Sequence, residues 1–231
     1  MPADGVGVTL ITGGASGLGA ATAHAVAEAG GAPVVLDLNP PRDGHAHELV
    51  DLADPRAAEA AVARAIDAHG DPTGVVTAAA TDTPGRLEEV PGAAWDRILA
   101  VNLLGTAAVV RAALPALERA GGTVVTVTST LGFKAVSDAT AYCASKFGVV
   151  GFTRALADET AGRVGVTLLV PGGMRTSFFD TREERYRPPP DATLNDPADV
   201  AAAIVFALRQ PAGCELREMV VTPSVESSWP P

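Results

Sequence analysis

The sequence has few cysteines, few lysines and few aromatic residues. Its two cysteines, Cys143 and Cys214, provide neither a disulfide framework nor the paired spacing of a metal-binding motif. The only lysines are Lys134 and Lys146, and Asp plus Glu outnumber Lys plus Arg by 27 to 17. The resulting formal net charge of −10 argues against a nucleic acid or an anionic membrane as a partner.

Targeting and membrane-spanning signals are also scarce. No basic region followed by a long apolar run opens the sequence, so no signal peptide is expected. No run of ~20 apolar residues suggests a membrane span. Hydrophobic residues nevertheless make up 47% and charged residues 19%, which is the balance of a globular protein. The length of 231 residues fits one α/β domain over residues 1–231, with a cytoplasmic location as the expectation.

Short β-rich runs alternate with alanine-rich helical stretches. The apolar runs are nearly continuous, which is typical of parallel strands covered on both faces. The pattern predicts an α/β fold with a doubly wound, mostly parallel, Rossmann-type sheet of about seven strands and helices on both faces. The predicted strands cover 6–12, 33–38, 48–52, 73–80, 122–129, 164–170 and 217–223. The predicted helices cover 17–30, 54–70, 93–120, 139–160 and 196–210, with a possible bend near Pro115.

Two connections depart from this alternation. Residues 39–47 alone join the second and third strands, which is shorter than a parallel crossover usually needs, so the helix there is expected to be missing or reduced to a turn. His45 and His47 lack a cysteine or carboxylate cluster of ligand spacing, so no metal site is predicted. The Pro/Arg-rich stretch 181–194 follows the sixth strand. A substrate lid over 175–195 is its functional interpretation, against an ordinary exposed loop.

A glycine-rich turn, TGGASGLG (12–19), joins the first strand to the first helix. Its glycines allow a tight turn and a close backbone approach to a pyrophosphate at the helix N-terminus. Asp37 ends the second strand, where a carboxylate can bind the ribose hydroxyls and would repel a 2′-phosphate. No lysine or arginine lies in the turn or directly after Asp37, and Arg42 is a weak counter-signal. NAD is therefore predicted over NADP.

The stretch AYCASK (141–146) places Lys146 four residues after Tyr142, on the same face of a predicted helix. A tyrosine hydroxyl normally has a pKa of ~10. A nearby ammonium is expected to lower that pKa, so that Tyr142 can act as an acid and base near neutral pH. Ser129 ends the fifth strand, where a donor can polarise a substrate oxygen. A hydrolase nucleophile is a weaker interpretation of Ser129, because it lacks a G-x-S-x-G elbow and no histidine follows it.

Five motifs agree in order and spacing with one family. The glycine-rich turn, Asn102 in VNLLGT, Ser129 in VTST, the YCASK stretch and PGGMRTSF (171–178) together resemble the short-chain dehydrogenase/reductase family. The resemblance implies a single-domain NAD(P)-dependent oxidoreductase, commonly a dimer or tetramer, that interconverts small-molecule alcohols and carbonyls. It implies Tyr142 as the general acid/base and Lys146 as its activator. Ser129 would bind the substrate carbonyl, and Asn102 would hold a proton-relay water.

The resemblance also implies a cofactor site. It assigns the ribose to Asp37 and the adenine to Asp51 and Leu52, with the pyrophosphate at the glycine-rich turn. The nicotinamide end is assigned to the stretch after the sixth strand. The implied cofactor-binding residues are Gly13, Ser16, Gly17, Leu18, Gly19, Asp37, Asp51, Leu52, Ala78, Ala79, Tyr142, Lys146, Pro171, Gly172, Met174 and Thr176.

The chain departs from the family pattern in four places. Thr77, Ala78, Ala79 and Ala80 replace an Asn-Asn-Ala-Gly motif, and the connection between the second and third strands is short. Val170 stands where an asparagine is common, and the familiar Asp-Gly ending is missing. These differences place the usual asparagine contacts between strands, and the details of subunit assembly, in doubt.

An NAD-dependent alcohol dehydrogenase or carbonyl reductase is the favoured interpretation. One alternative is a non-catalytic dinucleotide-binding regulator, and another is an NADP(H)-preferring ketoreductase. A third is an epimerase or dehydratase with tightly held NAD, although such relatives usually have a longer C-terminal part. Phe133, Lys134, Phe178 and Phe179 are expected near the pocket. They do not identify the substrate.

Overall fold

A seven-stranded parallel sheet forms the centre of the protein. The computed structural model describes residues 6–231. The strand order is β3-β2-β1-β4-β5-β6-β7, and each adjacent pair is parallel. The strands are β1 (Val8–Thr12), β2 (Ala32–Asp37), β3 (Ala46–Leu49), β4 (Gly74–Thr77), β5 (Thr123–Val127), β6 (Gly165–Pro171) and β7 (Glu218–Val221). The predicted doubly wound α/β fold in a single domain is confirmed.

Helices cover both faces of the sheet. They are α1 (Gly17–Glu28), α2 (Pro55–His69), α3 (Gly92–Leu99), α4 (Thr106–Ala120), α5 (Thr140–Glu159) and α6 (Pro197–Leu208). Helices α1 and α6 pack on one face, around Ile11, Val35 and Leu169. Helices α2 and α4, with part of α5, pack on the other face around Leu10 and Val34. Burial on both faces explains why the strands read as continuous apolar runs.

Residues Gly92–Ala120 form one long helix, as predicted, but its regular geometry is interrupted earlier than expected. The interruption is a π-helical segment, Ala100–Gly105, between α3 and α4. Pro115, where the sequence suggests a bend, lies inside the regular helix α4. The π-helical segment carries Asn102, and such segments are frequent at functional sites.

The same helix is the one stretch of the described chain that is long and apolar enough to cross a membrane. In this structure the apolar side of the helix packs into the core of the domain. Val109, Val110 and Leu117 are almost completely buried and belong to the cluster that packs against the sheet. Core helices of globular domains pass the same test of length and composition.

The connection between β2 and β3 contains no helix, as predicted, and residues 38–45 form turns instead. Strand β3 pairs with β2 so that His47 lies beside Val35. His47 and Leu49 are exposed, whereas the alternate residues of β3 are partly buried. Because Val35 faces α1, His47 and Leu49 lie on the face of the sheet where the missing helix would have packed.

The segment after β6 runs along the carboxyl edge of the sheet. Its two ends are joined by a bridge between Met174 and Asn195, where the backbone N–H of Asn195 also donates to the Gly173 carbonyl. Between them lie two short 3₁₀ turns, Ser177–Phe179 and Glu184–Tyr186. The excursion corresponds to the segment predicted as a lid, and a lid movement stays a prediction.

Candidate active site

A cavity of about 930 Å³ opens at the carboxyl edge of the sheet. It is bordered by the glycine-rich turn between β1 and α1, by the segment after β6 and by residues 225–228. All the predicted site residues except Asn102 line it. They are Gly13, Ser16, Gly17, Leu18, Gly19, Asp37, Asp51, Leu52, Ala78, Ala79, Ser129, Tyr142, Lys146, Pro171, Gly172, Met174 and Thr176.

Close backbone contacts require glycine at two positions of the turn. Gly13 has a φ of 72°, and a Cβ there would lie 2.8 Å from the Cα of Ala79. A Cβ on Gly19 would lie 2.2 Å from the carbonyl oxygen of Gly13. Side chains are therefore excluded at the start of α1, where backbone N–H groups point outward. This cradle fits the pyrophosphate of a dinucleotide.

The stretch Thr77–Ala80, which replaces the asparagine-containing motif, has its own contact with the neighbouring strand. The backbone N–H of Ala79 donates to the Thr12 hydroxyl over 3.1 Å. Strands β1 and β4 are in register through Thr12 and Thr77. The Thr12 side chain thus supplies a link between strands, and the small alanines leave room for Gly13.

Asp37 is fixed at the carboxyl end of β2. One carboxylate oxygen accepts from the backbone N–H of Ala15 and the other from that of Asn39, each over 3.0 Å. The first bond ties Asp37 to the glycine-rich turn, so the two parts of the predicted nucleotide site are held together. Arg42, the counter-signal in the sequence, is exposed and does not line the cavity.

Arg97 is a cavity residue that the sequence did not single out. Its guanidinium donates two hydrogen bonds, of 3.1 and 3.2 Å, to the carboxylate of Asp51. The pair lies beside Leu52, at the end of the cavity assigned to adenine. No local sequence pattern predicts this contact, because the two residues are 46 positions apart.

Ser129, Tyr142 and Lys146 meet at one point of the cavity. Ser129 follows β5, and the interaction of its side chain with the Tyr142 phenol lowers the pKa of that phenol. The Lys146 Nζ lies 5.6 Å from the centre of the Tyr142 ring and donates to the Val127 carbonyl over 3.0 Å. Lys146 is only 3% exposed. Strand β5 and helix α5 therefore position the predicted triad.

Burial moves the pKa of both helix residues toward the neutral form. It raises the pKa of Tyr142 to about 12, although the hydrogen bond with Ser129 opposes the rise. It lowers the pKa of Lys146 to about 8. The expectation that Lys146 lowers the pKa of Tyr142 below its ordinary value is wrong, because that pKa is raised in the folded chain. Desolvation is the largest cause of the raised pKa, and the Lys146 ammonium is bonded to the Val127 carbonyl.

Asn102 is the one predicted site residue that lies behind the cavity. Its amide donates to the Thr81 carbonyl over 2.9 Å and to the Ser145 hydroxyl over 3.1 Å. Its side-chain oxygen accepts from the Thr81 N–H over 2.8 Å. The side chain thus holds the loop after β4 against α5. The proton-relay role implied by the family resemblance stays a prediction.

Asp82 and Arg182 form a buried ion pair beside the triad. They approach within 2.7 Å, and their side chains are 5% and 14% exposed. Burial raises the pKa of Asp82, and the charge of Arg182 opposes the rise. The Arg182 guanidinium also lies 4.8 Å from the ring centres of Phe178 and Phe179. The predicted lid segment is thereby attached to the loop after β4.

The C-terminal segment also reaches the cavity. The hydroxyls of Ser228 and Thr130 hydrogen-bond with each other over 2.7 Å, and the Lys134 ammonium donates to the Ser227 carbonyl over 3.1 Å. The rings of Trp229 and Phe133 pack in a T-shaped arrangement, with their centres 5.4 Å apart. Of the residues expected near the pocket, Phe178 and Phe179 line it. Phe133 and Lys134 do not, because they anchor the C-terminal segment instead.

Comparison with known proteins agrees with the geometry. Residues 7–187 match the short chain dehydrogenase family. A curated relative, the 2,5-dichloro-2,5-cyclohexadiene-1,4-diol dehydrogenase of Sphingobium indicum, is 34% identical over 218 residues. The alignment covers 86% of this chain and 87% of the relative.

Two solved structures resemble the fold. The aldohexose dehydrogenase of Thermoplasma acidophilum, in ligand-free form, matches with a TM-score of 0.85 at 22% identity and covers 94% of this chain and 93% of its own. The alcohol dehydrogenase of Thermococcus sibiricus, complexed with 5-hydroxy-NADP, matches with a TM-score of 0.82 at 24% identity. That match covers 93% of this chain and 95% of the archaeal one.

Proposed function

The chain belongs to the short-chain dehydrogenase family, and on that premise we propose that it is an NAD(H)-dependent oxidoreductase interconverting a secondary alcohol and a ketone. Dehydrogenase action on an alcohol-type substrate follows from the family and the curated relative. One observation carries the finer proposal: Ser129, Tyr142 and Lys146 share a cavity with the glycine cradle and Asp37.

Members of this family use a nicotinamide dinucleotide, which gives or takes up the hydride when bound. The residues of the cavity fit such a group. The cradle formed by Gly13 and Gly19 would hold the pyrophosphate, and Asp37 would accept hydrogen bonds from the ribose hydroxyls. Pro171 and Gly172, at the end of β6, would lie at the nicotinamide end.

The preference for NAD is supported by the charges at the ribose end of the cavity. Asp37 is a carboxylate where a 2′-phosphate would have to lie, and Arg97 is already engaged by Asp51. The archaeal dehydrogenase complexed with 5-hydroxy-NADP is the opposing observation, but at 24% identity its likeness concerns the fold.

The proposed proton transfer belongs to Tyr142. In oxidation its phenolate takes the proton of the substrate hydroxyl, and in reduction the phenol returns it. Ser129 donates to the substrate oxygen and keeps it beside Tyr142. Because burial raises the pKa of Tyr142 to about 12, the phenolate needs positive charge nearby. Lys146, with a pKa of about 8, is mostly protonated at neutral pH and supplies part of that charge. The charge of an oxidised nicotinamide is expected to add to it.

The proposal extends to a lid, an assembly and a location. Residues 176–182 and 188–194 supply much of the cavity wall, which supports residues 175–195 as a substrate lid. We propose a homodimer or homotetramer, in keeping with the habit of the family, and a cytoplasmic location. Light scattering of the purified protein tests the assembly, and cell fractionation tests the location.

The deciding experiment is a panel of alcohols and ketones assayed with NAD(H) and NADP(H). A diol belongs in the panel because the curated relative is named for one. We expect Tyr142→Phe to lose at least a hundredfold in kcat, since the phenol proton is gone. Ser137→Ala removes an exposed hydroxyl outside the cavity and the proposed lid, so it is the control and should retain activity.

Three outcomes would contradict parts of the proposal. Wild-type turnover by Tyr142→Phe would exclude its acid/base role. A wide preference for NADP would overturn the Asp37 argument, which also predicts that Asp37→Asn narrows the preference for NAD. Tight dinucleotide binding without turnover of any compound would favour the non-catalytic regulator instead.

A further inference from the structure

The C-terminal segment Val225–Ser228 forms part of the wall of the cavity that Ser129 and Tyr142 also line. Its anchor at Ser228 is bonded to Thr130, the residue that directly follows Ser129. The segment is therefore fixed next to the group proposed to bind the substrate oxygen. Its one charged side chain is Glu226.

The carboxylate of Glu226 is held in place by three hydrogen bonds. One oxygen accepts from the backbone N–H and hydroxyl of Ser228, over 3.0 and 2.7 Å, and the other accepts from the Gly173 N–H over 3.3 Å. A carboxylate offers about four acceptor positions, so capacity remains for a ligand. Burial alone would raise the pKa of Glu226, but hydrogen bonds from Ser228, Gly173 and Ser227 hold it below its usual value. The side chain is therefore ionised at neutral pH.

Among the described residues, the cationic side chains nearest this part of the cavity bind other groups than Glu226. Asp82 and Arg182 neutralise each other. The Lys146 ammonium is bonded to a backbone carbonyl, and Lys134, bonded to Ser227, lies outside the cavity. Within residues 6–231, no ion pair includes Glu226. Glu226 thus presents to the cavity a carboxylate that makes no ion pair.

We propose that Glu226 determines substrate specificity: it excludes anionic alcohols and accepts a hydrogen bond from a second hydroxyl of an uncharged one. The carboxylate of an anionic substrate would share this cavity with Glu226 and would be repelled by it. A hydroxyl donates to a carboxylate in a charge-assisted hydrogen bond. The inference rests on the proposed alcohol dehydrogenase function and narrows its substrate class to uncharged diols and polyols.

The test compares two small alcohols of nearly equal shape and different charge, 3-hydroxybutanamide and 3-hydroxybutanoate. Each is assayed as a substrate of the full chain with NAD, and as a competitive inhibitor of the best alcohol in the panel. We expect the wild type to favour the amide by at least tenfold. If the wild type turns over the two compounds equally well and is inhibited by them equally well, the proposal is overturned, whatever result a variant gives.

Glu226→Gln should reduce the preference for the amide at least tenfold, because the shape is kept and the charge is removed. For the same reason it should weaken the discrimination between a diol and its monohydric analogue. Glu88→Gln is the matched control, since it removes an exposed charge outside both the cavity and the proposed lid. An unchanged preference in Glu226→Gln overturns the proposal. So does a variant in which only the dissociation constant of NADH changes, because Glu226 would then act on the cofactor.

The failure of the underlying function gives a different result. In that case the wild type oxidises no member of the panel with either cofactor. The charge preference is then contradicted together with the function, whereas an active wild type without the preference contradicts the role of Glu226 alone.

Discussion

The carboxylate of Asp82 and the guanidinium of Arg182 lie 2.7 Å apart although they are separated by 100 positions in the chain. The pair joins the loop after β4 to the segment after β6, and both side chains line the cavity that contains Tyr142. The phenol responds to both charges, since Asp82 raises and Arg182 lowers its pKa, after the larger effects of burial and Ser129. One contact therefore links the position of the lid segment to the electrostatics of the proposed acid/base.

Removing one partner of this buried ion pair should destabilise the protein more than removing one partner of an exposed pair. Asp82→Asn and Arg182→Met should each lower the free energy of unfolding by about 3 kcal/mol, because each leaves a buried charge without its partner. The double variant should lose less than the sum of the two. Urea unfolding of the four proteins measures the coupling.

The control for this double-mutant cycle is an exposed ion pair. Arg86 and Glu88 are 3.4 Å apart, with each side chain 68% exposed. Arg86→Met should change the free energy of unfolding by less than about 1 kcal/mol. Strict additivity of the Asp82 and Arg182 substitutions would show that the pair contributes no coupling.

Lys146 should make stability depend on pH in the alkaline range. Burial lowers its pKa in the folded chain from 10.5 to about 8. Between these values the unfolded chain holds a proton that the folded chain has released, so stability increases with pH. The contribution is complete above pH 10.5 and is lost as the pH falls through about 8. Urea unfolding from pH 7.5 to pH 10 should show a slope of roughly 1 kcal/mol per pH unit that Lys146→Met removes.

Lys134→Met is the matched control, because Lys134 is the only other lysine and is exposed. It should leave the slope unchanged. Tyr142 acts in the opposite direction at higher pH: its pKa is raised from 10.0 to about 12, so its contribution is lost as the pH rises through that range. A slope that persists in Lys146→Met would assign the dependence to another group.

Gly19 should tolerate no side chain, although it lies in a helix where alanine is usually favoured. The added Cβ would come within 2.2 Å of the Gly13 carbonyl oxygen, so the backbone of the cradle must shift. Gly19→Ala should lower the free energy of unfolding by about 2 kcal/mol or more and weaken NADH binding at least tenfold. Fluorescence titration and urea unfolding measure the two effects.

Gly151→Ala provides the comparison within another helix. Nothing lies within 4 Å of a Cβ at that position of α5. The substitution should stabilise the protein by up to about 1 kcal/mol, through helix propensity alone, and leave NADH binding unchanged. Equal behaviour of the two variants would contradict the steric requirement at Gly19.

The fold and most of the cavity wall could be predicted because their signals are local. Continuous apolar runs are typical of parallel strands, and a glycine turn between a strand and a helix indicates where a phosphate can approach. The carboxyl ends of β1, β2, β5 and β6 meet at one edge of the sheet. For that reason Gly13, Asp37 and Ser129, read from separate motifs, line one cavity.

The remaining features depend on distant contacts and on burial. Arg182 lies in a stretch whose composition indicates an exposed excursion, and only the fold places it against Asp82. The position of Glu226 depends on the bond between Ser228 and Thr130, 98 positions apart. The four-residue spacing predicts the wrong direction for the pKa shift of Tyr142, because it specifies proximity to Lys146 and does not specify solvation.

The missing helix after β2 leaves one face of β3 without a helix, whereas α1 and α6 cover that face of the sheet at its central strands. An edge strand in that situation has unpaired backbone groups on one side and water on one face, and it can recruit a strand of another molecule. Strand β3 limits that risk with its length of four residues and with the ion pair between Glu48 and Arg64, 2.8 Å apart. Lengthening β3, or making Glu48 apolar, would turn this corner of the molecule into a site for self-association.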